Sequence, residues 1–252
     1  MRALAVVPTY NEIATLQPVV EGALSAAREA DVDLELLVVD DDSPDATGVL
    51  ADRLAAEHQA VHALHRPGKS GLGPAYRAGF AWGMVRGFDA FCEMDADGSH
   101  DPPDLPRLLG ALRGADLAIG SRYVPGGGVV DWPWHRRALS RGGNRYVQLA
   151  TAMPVADATA GFRAYRRVVL EEIDLGSVRS DGYSFQLEMV LRTWRLGFRI
   201  VELPITFVER GEGTSKISRS IVIEALWRVP QWGIQGPRSP RPAHPRSVAV
   251  TG

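Results

Sequence analysis

The 252-residue chain carries 28 Lys and Arg against 30 Asp and Glu, and 45% of it is hydrophobic, an ordinary balance for one large globular domain with a sizeable core; no nucleic-acid partner is expected. Its single cysteine, Cys92, excludes an intrachain disulfide framework and fits a reducing compartment, as a buried strand residue. The apolar part of Met1–Pro8 is too short for a signal peptide, and no run reaches the roughly 18 apolar residues needed to span a bilayer, so the chain is expected to be soluble or peripheral.

Short apolar runs alternate with helical patterns. Leu4–Val7, Leu34–Val39, Val61–Leu64, Ala90–Met94 and Leu117–Ile119 predict buried strands. Thr15–Ala30, Asp45–His58, Pro74–Arg86 and Asp104–Leu112 predict the helices between them, with Ser43-Pro44-Asp45 and Pro102-Pro103 marking two starts. Strand–helix alternation predicts an α/β domain with a mostly parallel central sheet flanked by helices, and ligands beyond the carboxyl ends of its strands. Pro8–Glu12, Asp40–Asp42 and Asp95–Asp97 all fall at such ends. After Gly120 a loop rich in Gly and aromatics leads to a helix around Arg137–Ala150, a strand near Phe162–Arg166, a helix near Phe185–Leu196 and a strand near Arg199–Phe207. Residues 1–235 read as the catalytic domain and 236–252, with four prolines and three arginines, as a disordered tail.

The charge is unevenly placed. Residues 1–60 hold 12 acidic and 3 basic side chains, whereas from Arg122 to Arg145 there are 5 arginines against Asp131 alone. One end can hold a cation; the other can attract phosphate or an anionic surface.

Glu93-Met94-Asp95-Ala96-Asp97-Gly98-Ser99-His100 closes the fourth strand. Two carboxylates one residue apart cannot both be packed unpaired in a core. Asp-x-Asp suits a hard divalent cation, Mg²⁺ or Mn²⁺, completed by diphosphate oxygens and water. The first strand's turn, Pro8-Thr9-Tyr10-Asn11-Glu12, has no glycine and so no dinucleotide fingerprint, and Ala63 stands where a P-loop ending at Gly68-Lys69-Ser70 needs glycine. Gly68, Gly71 and Gly73 still make a flexible loop with Lys69 available for a phosphate.

Val-Val-Pro-Thr-Tyr-Asn-Glu (6–12), Val-Asp-Asp-Asp-Ser-Pro-Asp (39–45) and Asp-Ala-Asp-Gly-Ser-His-Asp-Pro (95–102) resemble the family-2 inverting glycosyltransferases. Gly-Ser-Arg-Tyr (120–123), Ser-Arg-Gly-Gly-Asn (140–144), Ala-Gly-Phe-Arg (160–163), Gly-Tyr-Ser-Phe-Gln-Leu-Glu-Met (182–189), Arg210 and Thr-Ser-Lys (214–216) narrow this to dolichol- or polyprenol-phosphate mannosyltransferases. The resemblance implies a nucleotide-sugar-binding domain of glycosyltransferase A type, with GDP-mannose as donor and a polyprenyl phosphate as acceptor. It implies Pro8, Tyr10, Glu12, Val39 and Asp41 in the guanosine pocket, Asp95 and Ala96 at the nucleotide, and Asp97 with Ser99 at the metal. It implies Arg210 and Lys216 over the diphosphate from a mobile loop, and Arg122, Arg136, Ser140 and Arg141 at the lipid phosphate, with Asp97 and Arg122 as the catalytic pair. Asp157, Arg163, Gln186 and Glu188 are expected to shape the sugar site. Asp42 and Ala46 depart from the family by standing where it often has glycine, and Gly98 by replacing a larger apolar residue. UDP-glucose as donor, or a silent nucleotide- or lipid-binding module, are the other readings.

A phosphate monoester has a second pKa near ~6, so it is already an oxyanion at neutral pH and such a reaction needs no general base. A polyprenyl phosphate does not leave the bilayer, so the chain is expected on a membrane surface, at its cytoplasmic face. Ile221, Val222, Ala225, Leu226, Val229 and Trp232 recur at helical spacing in Ser218–Ile234, either a docking helix or an amphipathic helix packed on the domain's own core. An integral membrane partner protein is the other means of recruitment.

Overall fold

Along the first strand, β1 (Ala3–Thr9), Leu4 and Val6 enter one hydrophobic layer while Ala3, Ala5 and Val7 enter another. A strand apolar on both faces must be covered on both, and the chain supplies a helix after each early strand. The computed structural model describes residues 1–208 and 248–250. In chain order they form β1, α1 (Leu16–Glu29), β2 (Leu34–Asp40), α2 (Thr47–Glu57), β3 (Val61–His65), α3 (Leu72–Met84), β4 (Ala90–Glu93), α4 (Asp104–Ala111) and β5 (Leu117–Ser121). There follow β6 (Gly128–Val130), α5 (Trp134–Thr151), β7 (Arg163–Arg166), α6 (Arg167–Glu172), α7 (Gly182–Arg195), β8 (Ile200–Pro204), β9 (Thr206–Val208) and β10 (Val248–Val250).

The main sheet runs β10-β8-β5-β7-β4-β1-β2-β3. Only β7 among the described strands of this sheet lies antiparallel to its neighbours, between β4 and β5. Leu16, Val19 and Val20 of α1, Ala51 and Leu54 of α2, and Leu105 and Leu108 of α4 fill one layer. Tyr76 and Phe80 of α3, Val147 of α5, and Phe185 and Met189 of α7 fill the other. Each fully buried side chain of this size contributes about 1.5–3 kcal/mol. Cys92 is buried and free, as expected of a strand residue.

The expected strand near Arg199–Phe207 is two strands. β8 pairs with β5, and β9 leaves that sheet to pair with β6. Pro204, which has no N–H to donate, stands at the break. The expected tail falls mostly outside the described residues; within it, Val248–Val250 runs parallel to β8.

The backbone is left-handed at all three positions where the sequence departs from the family it resembles. Asp42 and Ala46 have φ of 59° and 68°, and Gly98 has 73°. The first two are left-handed positions occupied without glycine. Ala46 is exposed, so its methyl group gains little packing to offset the strain. Ala46→Gly is therefore expected to stabilise the protein by roughly 0.5–1 kcal/mol. A raised urea midpoint with unchanged slope would show it; a lowered midpoint would contradict it.

Candidate active site

The carboxyl ends of β1, β2, β4 and β5 lie along one edge of the sheet, and the acidic segments of the sequence follow three of them. At the end of β2, Asp40 closes the turn: it accepts hydrogen bonds from Ser43 N (3.1 Å), Ser43 Oγ (2.6 Å) and Thr9 Oγ1 (3.2 Å). Asp41 faces the other way, accepting from Arg66 Nη1 (2.7 Å) and Ser70 N (3.1 Å). The loop between β3 and α3 is thereby drawn toward the end of β1, where Lys69 Nζ sits 4.0 Å from the centroid of the Tyr10 ring. Lys69 thus meets the ring expected to stack a base. Pro8 and Glu12 are half-buried on the same turn, and Glu12 Oε2 accepts from Thr15 Oγ1 (3.2 Å). Val39 lies in β2 and Ala96 just beyond β4. Both side chains are buried in the core, which leaves only their backbone to meet a nucleotide.

The glycines of this loop have another use. A Cβ at Gly73 would lie 2.7 Å from Ser180 O, so the start of α3 can approach α7 closely only without a side chain. Asp181 then reaches across, its Oδ1 accepting from Gly73 N (2.7 Å).

Beyond β4 the chain turns on His100. Its Nδ1 accepts from Asp95 N (3.1 Å), and its ring stacks on Phe162 at 4.5 Å and 11°. Gly98 meets the left-handed backbone that this turn requires. Asp95 is half-buried, with Tyr76 Oη donating to its Oδ1 at 3.4 Å. Asp97 is exposed, its Oδ1 accepting from Ser99 N (2.9 Å). The Ser99 hydroxyl is buried and has no hydrogen-bond partner among the described residues. Two carboxylates and an orphaned hydroxyl in one turn are a hard, all-oxygen donor set, which fits Mg²⁺ or Mn²⁺. Among the described residues no three His, Cys, Asp or Glu side chains stand together to hold an ion, so oxygens from a bound ligand would have to complete the coordination.

Behind this turn lies a buried polar layer. Arg163, wholly buried, donates to Gln186 O (2.6 Å) and Ala158 O (2.7 Å). It therefore ties β7 to α7 and supports the site from below. Glu188 is likewise engaged internally, by Ser180 Oγ and Arg192 Nη2, both at 2.5 Å. Glu93, opposite Arg163 in the sheet, is buried, and neither carboxyl oxygen has a well-formed hydrogen bond among the described residues. Burial pushes its carboxyl up to about 7, and Arg163, Gln186 and Tyr165 pull only part of the way back.

The arginine-rich side begins one residue past β5. Arg122, expected at the lipid phosphate, has a side chain only 6% exposed and is paired with Asp157. Burial alone would lower its pKa, but the carboxylate outweighs that by charge and hydrogen bonds and holds the guanidinium above its ordinary value. Tyr123, Trp132 and Phe207 surround it with ring centroids at 5.3, 5.4 and 5.7 Å. Arg136 stacks on Trp132 at 4.1 Å. Tyr123 Oη donates to Ser140 Oγ (2.6 Å), and Arg141 lies 5.6 Å from the same tyrosine ring. A cavity of about 230 Å³ lined by Tyr123, Arg141, Asn144, Arg145, Gln148 and Ala156 opens beside them.

Tyr183 lies on the first turn of α7. Burial raises its phenol pKa; Arg122 opposes this, Asp95 adds to it, and Arg136 and Asp97 act in the same opposed senses. One hydroxyl therefore lies within electrostatic reach of both the Asp-x-Asp turn and the arginines. The sequence gives Tyr183 only as part of a motif, and nothing in it points to Trp132 or Thr159 as neighbours of Arg122. Arg210 and Lys216 lie outside the described residues, as does Ser218–Ile234.

A family model described as glycosyl transferase family 2 matches residues 4–174. The chain is 55% identical over 234 residues to the undecaprenyl-phosphate mannosyltransferase of Micrococcus luteus, covering 93% of this chain and 95% of that one. It is 53% identical over 237 residues to the polyprenol monophosphomannose synthase of Mycolicibacterium smegmatis, covering 93% and 88%. Among solved structures, glucosyl-3-phosphoglycerate synthase from Mycobacterium tuberculosis, in complex with Mn²⁺, UDP-glucose and phosphoglyceric acid, superposes with a TM-score of 0.62. That match has 20% identity and covers 94% of this chain and 81% of that one.

Proposed function

Because the chain belongs to glycosyl transferase family 2, we propose that it transfers mannose from GDP-mannose to a polyprenyl phosphate with inversion at C1. The observation that carries this reading is identity above half, over nearly the whole chain, to proteins named for mannose and polyprenyl phosphate. The geometry supports it. An acidic turn with an orphaned hydroxyl and an arginine cluster both lie within electrostatic reach of Tyr183, as a diphosphate donor and a phosphate acceptor require. Asp41 and Glu12 offer carboxylates to the donor groups of a guanine and a ribose, with Arg66 and Lys69 yielding as the nucleotide enters.

Asp97 and Ser99 would hold Mg²⁺ or Mn²⁺, which when bound neutralises charge developing on the diphosphate leaving group. Arg122, Arg136, Ser140 and Arg141 orient the acceptor phosphate and screen its repulsion from the donor. Its oxyanion attacks C1 from the face opposite the diphosphate, and the C1–O bond to the diphosphate breaks. No protein base is needed, because the attacking oxygen carries no proton at neutral pH. Arg210 and Lys216 belong in this reading as cations over the diphosphate.

No helix of the described residues is long and apolar enough to cross a membrane. The outward side of α5 exposes Trp134, Leu139 and Leu149 near the exposed arginines 137, 141 and 145. Such a face supports peripheral attachment to an anionic membrane, on its cytoplasmic side, beside the arginines that receive the lipid phosphate. Recruitment by an integral membrane partner remains part of the reading.

Incubating the protein with labelled GDP-mannose or UDP-glucose, a short polyprenyl phosphate and Mg²⁺ tests the proposal. Label should move into organic solvent from GDP-mannose. Transfer from UDP-glucose alone would overturn the donor, and no transfer from either would favour a silent binding module.

A further inference from the structure

We infer that Asp157 is a positioning residue that aims Arg122 at the acceptor phosphate, and that Glu202 holds Asp157 for that purpose. The inference rests on the reading of Arg122 as an acceptor-phosphate residue. Asp157 Oδ2 accepts from the Arg122 backbone N (3.0 Å) and Nε (2.7 Å), while Oδ1 accepts from Nη2 (2.7 Å). Nη2 also donates to Thr159 Oγ1 (2.9 Å). One whole edge of the planar guanidinium is thus occupied. Among the described residues, Nη1 is the nitrogen left without a hydrogen bond, so any further oxygen must be met in the direction Nη1 points.

The clamp is itself clamped. Glu202, buried on β8 and paired in register with Ile119 of β5, accepts from Ala156 N (2.7 Å) and Asp157 N (2.9 Å). The peptide carrying Asp157 is therefore fixed to the strand pair that carries Arg122. The same loop also fixes α5: Asn144 Oδ1 accepts from Ala158 N (2.8 Å), and its Nδ2 donates to Thr159 Oγ1 (3.3 Å) and Ser140 O (3.0 Å). Residues 156–159 thus set Arg122 and the helix bearing Arg136, Ser140 and Arg141 in one frame.

Stability alone does not account for such a pair. A buried ion pair is often no more stabilising than an apolar pair of the same volume, and the Asp157 charge weakens the pull of Arg122 on a phosphate. What the arrangement does supply is direction. A free arginine side chain loses rotamer entropy on being fixed, and here that ordering precedes acceptor binding.

Asp157→Asn keeps the shape and removes the charge, and Arg122→Lys keeps a charge and removes the edge. Each is expected to raise the acceptor KM about tenfold while GDP binding stays within about twofold, and the double variant should match Arg122→Lys alone. Glu202→Gln should raise the acceptor KM in the same direction by about threefold, which serves if Asp157→Asn does not fold. An unchanged acceptor KM in Arg122→Lys would overturn the reading beneath the inference. A raised KM in Arg122→Lys with none in Asp157→Asn, or in Glu202→Gln where the former does not fold, would overturn the inference alone. Equal loss of donor and acceptor affinity, or multiplying effects in the double variant, would also overturn it.

Discussion

Asp97→Asn is expected to reduce transfer by at least about a thousandfold, equivalent to roughly 4 kcal/mol of lost transition-state stabilisation, while leaving the melting temperature within about a degree of the parent. The two halves of the expectation have separate causes. Asp97 is exposed and, among the described residues, its one hydrogen bond is accepted from Ser99 N in its own turn, so the fold places little weight on it. In the proposed reading it is also the carboxylate that, with Ser99, would hold a divalent ion at the diphosphate. GDP binding gives an independent check: it should weaken in chelator for the parent and be indifferent to chelator in Asp97→Asn. Full transfer in excess chelator, or an active Asp97→Asn protein, would remove the metal from this turn.

Glu93→Gln is expected to flatten the pH dependence of stability and to exceed the parent by about 2–3 kcal/mol near pH 8. Burial raises the Glu93 carboxyl from an ordinary 4.5 to about 7, so the folded protein favours the neutral form. Below about 4.5 both states are protonated and no stability is lost. Between about 4.5 and about 7 the unfolded chain has released a proton that the folded protein keeps, and stability falls as pH rises. Above about 7 the loss is complete. Glu202, also raised by burial, acts in the same sense, whereas Asp157 is lowered because Arg122 outweighs its burial and acts at lower pH. Comparison of the parent with Glu93→Gln by urea unfolding at pH 5 and pH 8 isolates the single carboxyl. Parallel stability curves would show that Glu93 is ionised, or solvated, throughout.

The early strands and helices are legible because each apolar run is short and separated from the next by a helix, although β3, expected to be buried, is an edge strand only partly buried after Val61. The Asp-x-Asp turn is legible for the opposite reason: its charges have nowhere to be buried. The antiparallel β7 is harder to see, since a four-residue strand carries no sign of its direction or of its place between β4 and β5. α6 and the β6–β9 pair are too short to show periodicity. Val39 and Ala96 show that a residue inside a motif can have its side chain in the core, which the motif alone does not tell. The Arg122–Asp157 pair is 35 residues apart in the chain, and Glu202 comes from a different strand. Composition and spacing show that arginines gather after Gly120, but only the fold shows which of them is already engaged.

The most direct measurement of the central claim is the anomeric configuration of the product. The purified protein, given GDP-α-mannose, a short polyprenyl phosphate and Mg²⁺, should yield an organic-soluble mannosyl phosphodiester whose one-bond C1–H1 coupling in NMR reports a β linkage. An α-linked product, or mannose released only to water, would contradict a single in-line attack by the lipid phosphate at this site.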